Sequence, residues 1–176
     1  MSGQAGRYQR SATGMVGAMI VLIAVVGGFV TLRELNSTDP PSPVRDVDYA
    51  KVAQFARKQA TFDLVAPAAL APGWRATTVD YVDGVKPRWH LGMLDAEGRY
   101  VGLEQSGSSV SSMVETYVDE AAVRGKPVRV GGQTWSRWSD AGGDVAIVRD
   151  AGDTTTLLVG DEVPVEELAT FATTLR

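Results

Sequence analysis

Apolar residues follow two regimes along the chain. From Met15 to Val30 they run almost unbroken (MVGAMIVLIAVVGGFV), and none of the 22 residues from Ser11 to Leu32 is charged. At the rise of an α-helix such a stretch covers about 30 Å, the hydrocarbon thickness of a bilayer, and it predicts a transmembrane helix over 11–32. Arg7 and Arg10 precede it without an acidic residue, whereas Arg33 is followed by Glu34, Asp39 and Asp46. The positive-inside rule therefore puts 1–10 in the cytoplasm and the remainder outside. A cleaved signal peptide is the alternative, but it has a shorter apolar core and ends in small residues, where this chain has Phe29 to Leu35. Gly14 with Ala18 and Ala24 with Gly28 have the spacing that lets two membrane helices approach, which raises a homodimer. Pro40, Pro41 and Pro43 predict an extended tether over 33–47.

After the tether, apolar residues come in short periodic bursts broken by glycine, proline and aspartate, and predict one domain over 48–176. A helix is expected from Asp48 to Ala60, with Val52, Phe55 and Ala56 on its buried side. Strands follow at Trp74–Val82, Arg88–Leu94 and Arg99–Gln105, the last two joined by a four-residue turn, Asp95–Gly98. A second helix should begin at Ser112, with Glu115 completing a capping box, and bury Met113, Val114, Tyr117, Val118, Ala121 and Ala122. Four glycine-separated strands come next, at 127–130, 133–139, 144–150 and 154–160. A last helix opens at Pro164 and buries Val165, Leu168, Phe171, Ala172 and Leu175. The expected fold is α+β: an antiparallel sheet of about six or seven strands covered by about three helices, with strands followed by a helix in both halves.

Composition narrows the chemistry. The chain has 176 residues, 44% of them hydrophobic and 22% charged, as in globular proteins. It has no cysteine, which removes disulfides, thiolate metal sites and cysteine nucleophiles. Residues 48–176 hold 18 acidic and 13 basic side chains with no basic cluster, so nucleic acid is not an expected partner. His90 is the sole histidine, which removes multi-histidine metal sites; with a serine and a carboxylate it would still allow a hydrolase. Ser106, Ser108, Ser109, Ser111 and Ser112 lack a nucleophile-elbow context and are read as satisfying helix-start amides. Asp80 with Asp83 and Asp140 with Asp144 are read as turn residues rather than a carboxylate pair or calcium ligands. No cofactor, metal or catalytic residue is expected. Trp135 and Trp138, three apart on one strand, should point to opposite faces and leave one at a groove or surface. With His90 they form the candidate partner or ligand surface.

The anchor, Pro72-Gly73-Trp74-Arg75-Ala76-Thr77, Trp89-His90-Leu91-Gly92 and Tyr100 through Ser106 resemble an actinobacterial family of single-pass membrane-anchored proteins carrying a domain of unknown function. The resemblance runs from Arg7-Tyr8-Gln9-Arg10-Ser11 to the closing Glu166-Glu167-Leu168-Ala169 helix. It implies location and architecture, and no activity. The functional expectation is a non-enzymatic envelope protein, held in the cytoplasmic membrane, whose outer domain binds another envelope protein. A carrier of a lipid or small apolar ligand is the alternative, and a hydrolase using His90 the third.

Overall fold

The computed structural model describes residues 47–176 together with Met19 and Leu22. Among these no helix is long and apolar enough to cross a membrane. The expected span 11–32, apart from those two residues, and the expected segments 1–10 and 33–46 lie outside the described residues.

Successive side chains along each strand point to opposite sides, which gives the sheet two faces. Its eight strands are β1 (Arg75–Val82), β2 (Arg88–Leu94), β3 (Tyr100–Ser106), β4 (Val123–Arg124), β5 (Val128–Val130), β6 (Gln133–Ser139), β7 (Asp144–Asp150) and β8 (Thr155–Asp161). All pairings are antiparallel, in the order β1-β2-β3-β8-β7-β6-β4, and β5 shares the outer edge of β6 with β4. The expected six or seven strands become eight because the two-residue β4 pairs Val123 and Arg124 with Ser139 and Trp138. A strand that short carries no periodicity to read.

The first face holds the larger core: Trp89, Leu91, Met93, Val101, Leu103, Trp135, Ile147 and Leu158 are buried there. Two helices, α1 (Tyr49–Arg57) and α3 (Val165–Ala172), contribute to it. Asp48 caps α1 by accepting from the Lys51 amide at 3.3 Å. Its buried stripe is Ala53 and Ala56, whereas Phe55, expected inside, is 60% exposed. The small alanines let the helix sit close on the sheet, which turns Phe55, two residues from Ala53, outward. Trp74 stacks on Phe171 of α3 at 5.0 Å between ring centres. Leu175, expected on the α3 stripe, instead bridges to Pro67, because α3 ends at Ala172 where Thr173 and Thr174 hydroxyls donate to the Thr170 and Phe171 carbonyls. Gln105 and Thr156 are polar residues buried on this face: Gln105 accepts from Val65 N at 2.7 Å and donates to the Asp63 carbonyl and the Thr156 hydroxyl, satisfying the loop that crosses it.

Among the described residues, a helix covers the second face in one half only. There α2 (Val110–Tyr117) lays Met113 and Val114 on Ala146, Val148, Leu157 and Val159. Its cap is Ser109, which accepts from Ser112 N at 3.3 Å, so the expected capping box from Ser112 to Glu115 is replaced by a start three residues earlier. The helix stops at Tyr117, short of the expected Ala122, because the Asp119 carboxylate takes the Ala121 amide at 2.6 Å and folds the chain back toward β4.

Leu91→Ala, at a position with no exposure, is expected to lower the unfolding free energy by about 3 kcal/mol. Phe55→Ala should change it by no more than about 0.5 kcal/mol. Urea unfolding of both variants checks the inward and outward assignments together.

Candidate functional site

The uncovered half of the second face presents the even-numbered positions of β2 and β3: Arg88, His90 and Gly92, and Tyr100, Gly102, Glu104 and Ser106. Register sets His90 directly opposite Glu104 and Gly92 opposite Gly102. His90 Nδ1 donates to Glu104 Oε1. Glu104 is 2% exposed and His90 24%. The second carboxylate oxygen, Oε2, is buried without a hydrogen-bond partner. A carboxylate in that condition is costly, since it has given up water and has only the His90 and Tyr117 side chains near it in return.

Glycine is required beside this pair. A Cβ on Gly92 would come within 2.5 Å of Thr78 Oγ1 and 3.3 Å of the Tyr100 ring, and one on Gly102 within 3.0 Å of the Tyr100 hydroxyl. The Tyr100 ring thus packs over bare backbone. Burial, and then the negative charge of Glu104 and the neighbouring Tyr117, pushes its hydroxyl up to about 12. Burial likewise raises Tyr117 on α2, with Glu104 adding to the shift and Arg88 opposing it. Asp80, Arg88, His90, Tyr100, Glu104 and Tyr117 line a cleft of about 270 Å³. Arg88 and Tyr117 also line a second cleft of about 290 Å³, where Lys86, Ser106, Ser108, Ser112 and Thr116 stand. At the shared wall Arg88 meets Asp80 at 3.7 Å, both side chains about half exposed.

The other predicted positions separate from this site. Trp135 and Trp138 do point to opposite faces: Trp135 is 3% exposed in the first core and offers no surface, while Trp138 packs beside α2. Trp138 also lines a third cleft, of about 390 Å³, under the Arg124 guanidinium. No serine lines the His90 cleft. Ser109 caps α2, and the Ser106 hydroxyl accepts from Ser108 N. Asp140 accepts from the amides of Gly142, Gly143 and Asp144 within 3.0 Å, and Asp83 from Gly84 N, as turn residues do. Asp95, Glu97 and Glu167 bring carboxylate oxygens together, but Arg99 sits among them, at 2.6 Å from Asp95 and 2.7 Å from Glu167, and ties the β2–β3 turn to α3. Glu104 is the residue that sequence reasoning missed. Its signal was hairpin register: with Asp95 N donating to Arg99 O, Arg99 closes the turn opposite Asp95, and counting back along both strands places Glu104 on His90.

The chain belongs to the family described as a protein of unknown function (DUF4245), which matches residues 7–175. No curated protein matches it.

His90→Ala is expected to lower stability by about 1–3 kcal/mol by stranding the Glu104 charge. Pairing it with Glu104→Leu should recover most of that loss, and equal losses in urea for the single and double variants would show that Glu104 does not depend on His90. The Tyr100 shift has a definite sign. A hydroxyl raised from 10.0 to about 12 in the fold contributes stability that is complete below pH 10 and is lost as pH rises toward 12. Tyr100→Phe should flatten that alkaline decline in thermal melts taken across the window.

Proposed function

We propose that this DUF4245 protein is a non-catalytic, single-pass membrane protein of the cell envelope, and that its 48–176 domain binds a partner through the uncovered half of the second sheet face. The observation that carries the reading is the buried carboxylate of Glu104, held on one side by His90 and unpartnered on the other, beneath an open cleft. Sites whose polar groups are left short of partners are where a ligand or partner supplies the missing bond. The anchor rests on the uncharged run Ser11–Leu32.

Two observations favour this over the alternatives. An apolar carrier needs space between sheet and helices, and there Leu64, Trp89, Leu91, Met93, Leu103 and Leu168 fill it with side chains that are 2% exposed or less. A serine hydrolase needs a hydroxyl within reach of His90, and the free Nε2 of His90 lies beside Gly92 rather than any serine.

Because the chain has no cysteine, topology can be read from a single introduced one. Lys126→Cys, on an exposed loop, is expected to react with a membrane-impermeant maleimide in intact bacterial cells. Labelling only after the cells are broken would overturn the outward placement. A photo-crosslinking residue at Thr78, exposed beside the cleft, should give a discrete adduct in the membrane, and one at Lys51 on α1 should not. Adducts from Lys51 alone would move the binding surface to the opposite side of the domain.

A further inference from the structure

Resting on the reading that this open half-face is the binding face, we propose that its ligand is a small zwitterion, with a primary ammonium group at Glu104 and a phosphate or carboxylate at Lys86 and Arg88. The two adjoining clefts differ in charge: two carboxylates stand with Arg88 and His90 in one, and the other has two cations and no carboxylate. One has Glu104 and Asp80 as its acids and Tyr100 and Tyr117 as its aromatic walls. The other has the Lys86 and Arg88 cations and the hydroxyls of Ser106, Ser108, Ser112 and Thr116. They share Arg88 and Tyr117, so one short molecule can reach into both.

Each end selects by a separate argument. Glu104 Oε2 lacks a donor, and Glu104 is nine-tenths or more buried. An ammonium group brings three donors and the positive charge that a desolvated carboxylate needs, and tyrosine faces add cation–π attraction. At the other end, a phosphate or carboxylate offers acceptors to two cations and to the Ser112 hydroxyl, whereas the Thr116 hydroxyl already donates to the Ser112 carbonyl. The Asp80–Arg88 pair between the two ends is long, at 3.7 Å, and half exposed, so Arg88 can exchange Asp80 for a ligand anion at little cost. A simple anion would satisfy Lys86 and leave Glu104 as it is. A simple cation would do the reverse, and an apolar molecule would satisfy neither. Clefts of about 290 and 270 Å³ lie just below the range of small-molecule sites.

The test is calorimetric titration of the full chain in nonionic detergent with O-phosphoethanolamine, with ethanolamine and inorganic phosphate as its two halves. Phosphoethanolamine is expected to bind at least about tenfold more tightly than either half. Glu104→Gln should abolish that advantage and leave the affinity for inorganic phosphate unchanged. Lys86→Glu, on an exposed loop where folding is not at stake, should weaken phosphoethanolamine by about tenfold and leave ethanolamine unchanged. Vesicles containing phosphatidylethanolamine that displace the bound probe would identify the zwitterion as a lipid headgroup, and vesicles that leave it bound would identify a free solute. Inorganic phosphate binding as tightly as phosphoethanolamine, or no binding of any of the three, overturns the inference. If Thr78 still crosslinks while phosphoethanolamine fails to bind, the binding face stands and only the ligand class falls.

Discussion

The pairing of β3 with β8 is the contact on which the architecture depends. It joins two three-stranded meanders, β1-β2-β3 and β6-β7-β8, by an antiparallel ladder from Val101↔Gly160 to Ser106↔Thr155. Residues 49 or more apart in sequence must meet there before either large face of the sheet exists to be covered. The ladder also relates the halves to each other. β3 and α2 begin at Tyr100 and Val110, and β8 and α3 begin 55 residues later, at Thr155 and Val165. Each meander is therefore followed by a helix at the same interval. Two antiparallel neighbours are related by an axis normal to the sheet, which keeps a given face on the same side. The helices break that relation: α2 lies on the second face and α3 on the first.

This break produces the open cleft. Under the relation of the halves, His90↔Glu104 corresponds to Ala146↔Val159, and Gly92↔Gly102 to Val148↔Leu157. In the second half those four positions are small or medium apolar residues beneath Met113 and Val114 of α2. Among the described residues no helix covers them in the first half, because α3 has gone to the other side to pack on Trp74 and the first core. The uncovered positions carry a hydrogen-bonded pair and two glycines roofed by Tyr100 instead. Polar chemistry thus appears where side chains, Tyr100 and Tyr117, stand over the sheet in place of a helix face, although Gly92, Gly102 and Glu104 remain buried.

Much of this architecture is legible in the chain. Alternation in Arg88–Leu94, Gln133–Ser139 and Asp144–Asp150 locates those strands to the residue, since period two is a strong signal when one face is a core. What is not legible turns on single positions. Phe55 is a large apolar residue on an amphipathic helix, yet the choice of inward side was made by two alanines that allow close approach. Trp135 reads as a candidate surface aromatic and lies in the core, because parity along β6 fixes which of two tryptophans is interior only once the sheet's faces are known. A turn taken as Asp95–Gly98 places Leu94 opposite Arg99 and His90 opposite Leu103. The actual closure, Asp95 against Arg99, shifts the register by one and gives His90 the carboxylate. One residue of loop length decides whether His90 stands opposite Leu103 or opposite the buried Glu104 carboxylate.

The same correspondence bears on why the pair is there. A buried carboxylate and imidazole are not a means of stabilising a sheet: well-packed apolar residues at such positions are commonly neutral or better by 1–4 kcal/mol. Here the fold supplies its own comparison, because Ala146 and Val159 occupy the matching positions in the second half and are buried there under α2. The backbone geometry therefore accepts an apolar pair at this place in a meander. Glu104 is nonetheless as deeply buried as those residues, its Oε2 lacks a partner, and the tyrosines and glycines around it are shaped to keep it so. A feature that the fold does not need, and that costs stability in the free protein, is the physical ground for the proposal that this cleft receives a ligand.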